Sequence, residues 1–178
     1  MSNYDNAFIS NLIAEEVGDG RQLRLQVIGD SMVPIFKRGD IAYVERKSAQ
    51  ELRQGDVIVL NLREGFLMHR LVDNDGKRLL LRGDNCILAD PPADLNSVIG
   101  EVVIVERNGG MTYSKSRIWI MVNRVVGWLS YQIMRIGNFC EYLQLQFFHN
   151  DNKSISLLLR RMLSYPLKAV TRLMAWWV

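Results

Sequence analysis

Ser31 lies in the stretch Gly29-Asp30-Ser31-Met32-Val33-Pro34, between an apolar β-type run and a proline-directed turn. Further along come His69-Arg70 inside an apolar run, Arg82-Gly83-Asp84-Asn85, and Asp90. These residue types can carry out acyl transfer. A serine hydroxyl is a poor nucleophile until a neighbouring base takes its proton. Histidine, with an intrinsic pKa of about 6.5, accepts that proton near neutrality without special burial, whereas a lysine must first be desolvated. A catalytic histidine works best with its second ring nitrogen held by a carboxylate, and Asp84 and Asp90 are the candidates. Each residue also has a plainer role. A serine in a turn is ordinarily only a turn residue, and a histidine in an apolar strand is ordinarily a satisfied core residue.

The order of the segments matters more than any one residue. Gly29-Asp30-Ser31-Met32-Val33-Pro34 is followed by Gly39-Asp40, Gly55-Asp56-Val57, His69-Arg70, and Gly83-Asp84-Asn85 with Asp90 downstream. This set resembles the boxes shared by type I signal peptidases and LexA-type serine peptidases, over about residues 24–107. The leader-peptidase and LexA-type branches place a lysine in the third box. Here His69-Arg70 is similar to the endoplasmic-reticulum-type signal peptidases, which use a Ser-His pair with an acidic partner. The resemblance implies Ser31 as nucleophile, His69 as general base and Asp90 as its orienter, with Asp84 as the secondary candidate and a turn organiser. It also implies the backbone N–H of Ser31 as the first oxyanion donor. Several signal peptidases add a hydroxyl two residues before the nucleophile. Gly29 stands there, as in the LexA branch, so the second donor is unassigned. Met32 and Pro34 read as a wall residue and a turn-fixing residue, and Asp40 and Asp56 as turn formers.

The elements that must position these residues follow from periodicity. Short β-branched runs succeed one another from Arg24: RLQVIG, IAYVER, VIVLNL, FLMHRLV, RLLLRG and VIGEVVIVER, with MTYSKS after them. Glycine- and aspartate-rich turn signals separate them, and Asp73-Asn74-Asp75-Gly76-Lys77 suits a hairpin tip. The pattern predicts a mainly β fold, a signal-peptidase/LexA-like barrel or sandwich, with a C-terminal helical extension. The predicted organisation is an arm over 1–23 with a helix at Asn6–Glu16, a catalytic β domain over 24–116 and a helical tail over 117–178.

Composition narrows the function. Cys86 and Cys140 are no disulfide framework, and with two histidines far apart they make no zinc site. No cofactor is expected. Residues 1–20 contain no basic region followed by an apolar run, so they do not read as a secretory signal. The best candidate span starts at Ile118 and is broken by Asn123, Arg124, Gln132 and Arg135. Residues 1–110 carry 13 basic and 17 acidic side chains, whereas residues 111–178 carry 9 and 2. From Lys153 the sequence reads as a helix, kinked at Pro166. Arg160, Arg161, Lys168 and Arg172 share one face of it, and leucines, Trp176 and Trp177 occupy the other. That pattern suits either an anionic membrane interface or packing on a protein.

The expected activity is that of a serine endopeptidase acting on a precursor or leader peptide. It is expected in the cytoplasm, peripheral at the inner face of the membrane, with no nucleic acid partner. One alternative is a self-cleaving LexA-type regulatory module, against which residues 1–23 are too short for a helix-turn-helix domain. Another is a non-catalytic peptide-binding module on the same fold.

Overall fold

The computed structural model describes residues 22–63, 65–113 and 116–148, together with Leu158, Arg161, Met162, Tyr165, Lys168, Ala169, Thr171 and Arg172. The helix expected over Asn6–Glu16 and most of the helix expected from Lys153 lie outside the described residues.

Among the described residues eight antiparallel strands form one sheet: β1 (Leu23–Gln26), β2 (Ile41–Arg46), β3 (Val57–Leu62), β4 (Gly65–Asn74), β5 (Arg78–Arg82), β6 (Ala93–Asp94), β7 (Val98–Arg107) and β8 (Gly110–Tyr113). Their order is β1-β2-β7-β3-β4-β5-β6, with β8 also paired to β7. The expected mainly β class and its helical extension are both present. The strands coincide with the apolar runs, and the Asp75-Gly76-Lys77 tip joins β4 to β5. Gly100 of β7 lies tight against β2, since a Cβ there would collide with the Glu45 carbonyl oxygen.

Val57 to Leu60 of β3 are buried on both faces of the sheet. Successive side chains of a strand point to opposite faces. Val57 and Val59 therefore join one core with Met32, Phe36, Val44 and Trp119. Ile58 and Leu60 join a second core with Leu52, Leu71, Leu79 and Leu81. A strand filled on both faces has no room for polar alternation, which explains the unbroken VIVL run.

Two turns share one chemistry. In Lys37–Asp40 and Arg53–Asp56 the first residue's N–H donates to the aspartate side chain, at 2.7 and 2.8 Å. The aspartate N–H donates back to the first carbonyl, at 3.1 and 3.0 Å. Gly39 and Gly55 hold positive φ between them, a conformation glycine adopts without steric cost. Asp40 and Asp56 are thus turn formers, as read from sequence. Asp40 in addition takes a two-point ion pair from Arg107, at 2.9 and 2.6 Å.

Helix α1 (Arg117–Phe148) follows the sheet. The Ser116 hydroxyl accepts the N–H of Trp119 at 3.2 Å and caps its first turn. Trp119, Val122, Val126 and Ile133 recur at steps of three, four and seven residues, one helix face, and are buried in the first core. Each apolar side chain so buried contributes roughly 1.5–3 kcal/mol. Trp119 meets Phe36 edge-on, with ring centroids 5.7 Å apart. A Cβ on Gly127 would lie 2.5 Å from Gly55 Cα, so the helix seats directly on the Arg53–Asp56 turn. The β domain drawn at residue 116 therefore shares its core with the first turns of the helical segment.

Candidate active site

The serine turn is anchored by its apolar neighbours. After β1, Val27 N–H donates to Asp40 O at 2.9 Å, and Gly39 N–H donates to Val27 O at 2.8 Å. Met32, Ile35 and Phe36 are then driven into the first core, leaving Ser31 half-buried at its edge. Met32 is the buried neighbour expected of it.

His69 stands on β4 opposite Ile58 and is 5% exposed. Its Nε2 lies 2.8 Å from Ser31 Oγ, and its Nδ1 lies 2.6 Å from Asp90 Oδ2. With Asp90 ionised, Nδ1–H donates to the carboxylate, and the Nε2 lone pair faces the serine hydroxyl. Asp90 belongs to the segment between β5 and β6, where its N–H donates to Leu81 O at 2.8 Å. The structure thus brings Ser31, His69 and Asp90 into one chain of contacts.

Asp84 lies elsewhere. It makes no hydrogen bond to His69, and its side chain is held by Arg70 rather than by backbone amides. Both its oxygens face Arg70, which donates from Nε and Nη2 at 2.7 Å each. The reason is strand geometry: His69 and Arg70 are adjacent on β4 and point to opposite faces. Arg70 and Asp84 are both essentially unexposed, at 0% and 1%. Arg70 Nη1 completes the set with Gly55 O and Asn123 Oδ1, at 2.7 Å each.

The same loop holds the serine turn directly. Asn85 N–H donates to Ser31 O at 2.7 Å, and Asn85 Nδ2 donates to Asp30 O at 3.2 Å. Gly83 makes this approach possible. A Cβ there would lie 2.7 Å from Cys86 Sγ, 2.8 Å from Ser31 O and 3.0 Å from His69 Nε2. Burial first, and then the Asp90 carboxylate, push the Cys86 thiol above its ordinary pKa. Arg82 is buried nearby, and desolvation lowers its pKa. Its Nε and Nη2 have no hydrogen-bond partner among the described residues.

Sequence reasoning passed over Asn85, Gly83 and Asn123 as working parts. Asn123 left a signal, being an amide inside an otherwise apolar helical stretch. It was read as a break in a membrane span, whereas it lies on the buried face of α1.

A cavity of about 350 Å³ opens beside Ser31, lined by Leu25, Val27, Ile28, Phe66 and Met68 among others. A larger one, about 690 Å³, is lined by none of Ser31, His69 and Asp90 and carries charges of both signs. There Lys47 pairs with Glu101 at 2.6 Å, and burial raises the Glu101 pKa. Among the described residues no cluster of His, Cys, Asp and Glu could hold a metal ion.

A family model described as Peptidase S24-like matches residues 7–112. The chain belongs to the Peptidase S24-like family. This family falls in the clan of LexA and signal peptidase I, whose members are serine peptidases and self-cleaving modules. No curated protein matches the chain. The S24-like match takes in β1 to β7 and every residue of the Ser31–His69–Asp90 constellation, and it ends before α1.

Proposed function

We propose that the chain is a serine endopeptidase that cleaves a precursor or leader peptide through Ser31, His69 and Asp90. The observation that carries this reading is the continuous contact from Ser31 Oγ through the His69 ring to Asp90. His69 Nε2 takes the Ser31 proton as Oγ attacks the scissile carbonyl. The resulting imidazolium is held by Asp90 and then protonates the leaving amine. Water, deprotonated by the same nitrogen, attacks the acyl-enzyme, releases the acid product and restores the Ser31 hydroxyl. The Ser31 N–H is the oxyanion donor in this scheme. A histidine at this position favours the branch of the endoplasmic-reticulum-type signal peptidases over the lysine-dependent ones.

The apolar cavity favours small or apolar substrate side chains before the scissile bond. Among the described residues β1 is an edge strand beside it, so an extended peptide can add to residues 25–29 by main-chain pairing.

The site of action we infer is the cytoplasmic face of a membrane, approached through the basic tail from Lys153. Leu158, Met162 and Tyr165 of that tail are exposed, as are Arg161 and Arg172. Among the described residues no helix is long and apolar enough to cross a membrane.

The test of the chemistry is covalent. A fluorophosphonate probe should give an adduct that peptide mass spectrometry maps to Ser31, and His69→Ala should not form it. An adduct forming equally fast in His69→Ala would remove the histidine from the account.

A further inference from the structure

Helix α1 has two apolar faces, and the sheet covers only one. On the side away from the core, Ile118, Met121, Val125, Trp128, Phe139 and Tyr142 are all exposed. Their three- and four-residue steps, interrupted at Gln132 and Arg135, place them in one stripe at about 100° per residue. The stripe is about 36 Å long at 1.5 Å per residue. Arg117, Arg124 and Arg135, spaced seven and eleven residues apart, fall along one flank of it. Arg124 Nη1 donates to Gln54 O at 2.7 Å, while Arg117 and Arg135 are exposed. From Arg117 to Cys140 there is no Asp or Glu. An exposed apolar stripe on a soluble-type fold marks an interaction surface.

We propose that this outward stripe of α1 docks the protein along an anionic lipid surface, the helix lying parallel to the membrane. The reading deepens the membrane contact proposed above and moves its centre from the tail to α1. Charge complementarity selects the occupant. Apolar and aromatic side chains enter the acyl boundary while the exposed Arg117 and Arg135 meet headgroup phosphates. Trp128 and Tyr142 are residue types that favour such an interface. A second copy is a poorer occupant. Pairing two stripes antiparallel would bring both arginine flanks to one side, and α1 itself has no carboxylate between Arg117 and Cys140 to receive them.

The experiment uses the full chain carrying Trp176→Phe and Trp177→Phe. Trp119 is 2% exposed, so Trp128 is then the tryptophan that lipid can reach. Vesicles of phosphatidylcholine with about one-third phosphatidylglycerol, brominated in the acyl chains, should quench its fluorescence, and raised salt should reverse this. Arg117→Gln/Arg135→Gln should weaken vesicle binding by roughly tenfold or more at low salt. Met121→Glu/Phe139→Glu should abolish it at an unchanged melting temperature. Ser31→Ala should bind like the parent, which separates this proposal from the peptidase reading. Three results would overturn it: vesicle binding with Trp128 unquenched, which assigns docking to the tail; a dimer that Met121→Glu/Phe139→Glu dissolves; or no vesicle binding at all.

Discussion

His69 and Arg70 are neighbours on one strand, and each takes an aspartate from the same loop, yet the two pairs differ in what they can do. His69–Asp90 sits at the edge of the core, with Asp90 23% exposed at its side chain and the second ring nitrogen on a hydroxyl. A proton can pass through it, because an imidazole can accept one at one ring nitrogen while holding another at its partner nitrogen. Arg70–Asp84 is sealed in the interior, and Arg70 donates to Asp84, Gly55 and Asn123 together. A guanidinium keeps its proton at any working pH, so this pair cannot shuttle one. It can fix the loop whose next residue, Asn85, holds the Ser31 carbonyl. One loop thus supplies an acidic partner to the proposed chemistry and a second to the scaffold under it.

Exchanging aspartate for asparagine should break the two pairs in different ways. Asp90→Asn keeps the fold and lowers kcat on the order of 10³- to 10⁴-fold, because the wrong histidine tautomer is favoured. Asp84→Asn leaves a buried guanidinium poorly matched and costs about 3–5 kcal/mol of stability. Its rate per folded molecule falls less than that of Asp90→Asn. Paired denaturation curves and single-turnover rates check both. Crippled chemistry in Asp84→Asn beside unaffected Asp90→Asn would exchange the two roles.

A smaller effect sharpens the same contrast from the helix side. Asn123→Ala removes one acceptor from Arg70, and a hydrogen bond to a charged group contributes about 1.5–3 kcal/mol. Stability should fall by that order and kcat by several-fold, with KM unchanged. Asn123→Asp should restore both, since it again gives Arg70 an acceptor. A KM change without a kcat change would detach Asn123 from the serine turn.

The smallest effect concerns Cys86, which the Gly83 contact places beside the Ser31 turn and His69. Its raised pKa keeps the thiol protonated near neutrality, and only the thiolate reacts. Alkylation by iodoacetamide, followed by mass spectrometry of the Cys86 peptide, should be slow at neutral pH and speed up as pH rises. The modified protein should lose activity in proportion to labelling.

Much of the fold was legible because the strands alternate, or fill both faces, between aspartate–glycine turns that carry their own hydrogen-bond chemistry. The choice between Asp84 and Asp90 was not legible from residue type. Both are aspartates in one loop. The resemblance pointed to Asp90, and the physical reason is the opposite directions of His69 and Arg70 on β4. Asn123 was hidden by distance, since its bond to Arg70 spans 53 residues. The double face of α1 was half legible. Its apolar content was plain, but which residues the sheet would cover depends on how the helix seats on Gly55.

The central claim is that Ser31 is a nucleophile activated by His69. The most direct measurement is incubation of the purified full chain with a complex peptide library, with new N-termini counted by mass spectrometry. The wild-type chain should produce a defined set of cleavages with small or apolar residues before the cut. Ser31→Ala and His69→Ala should produce none while melting like the parent. The same cleavages from Ser31→Ala, or none from a wild-type chain whose Ser31 also takes no phosphonate, would contradict the account.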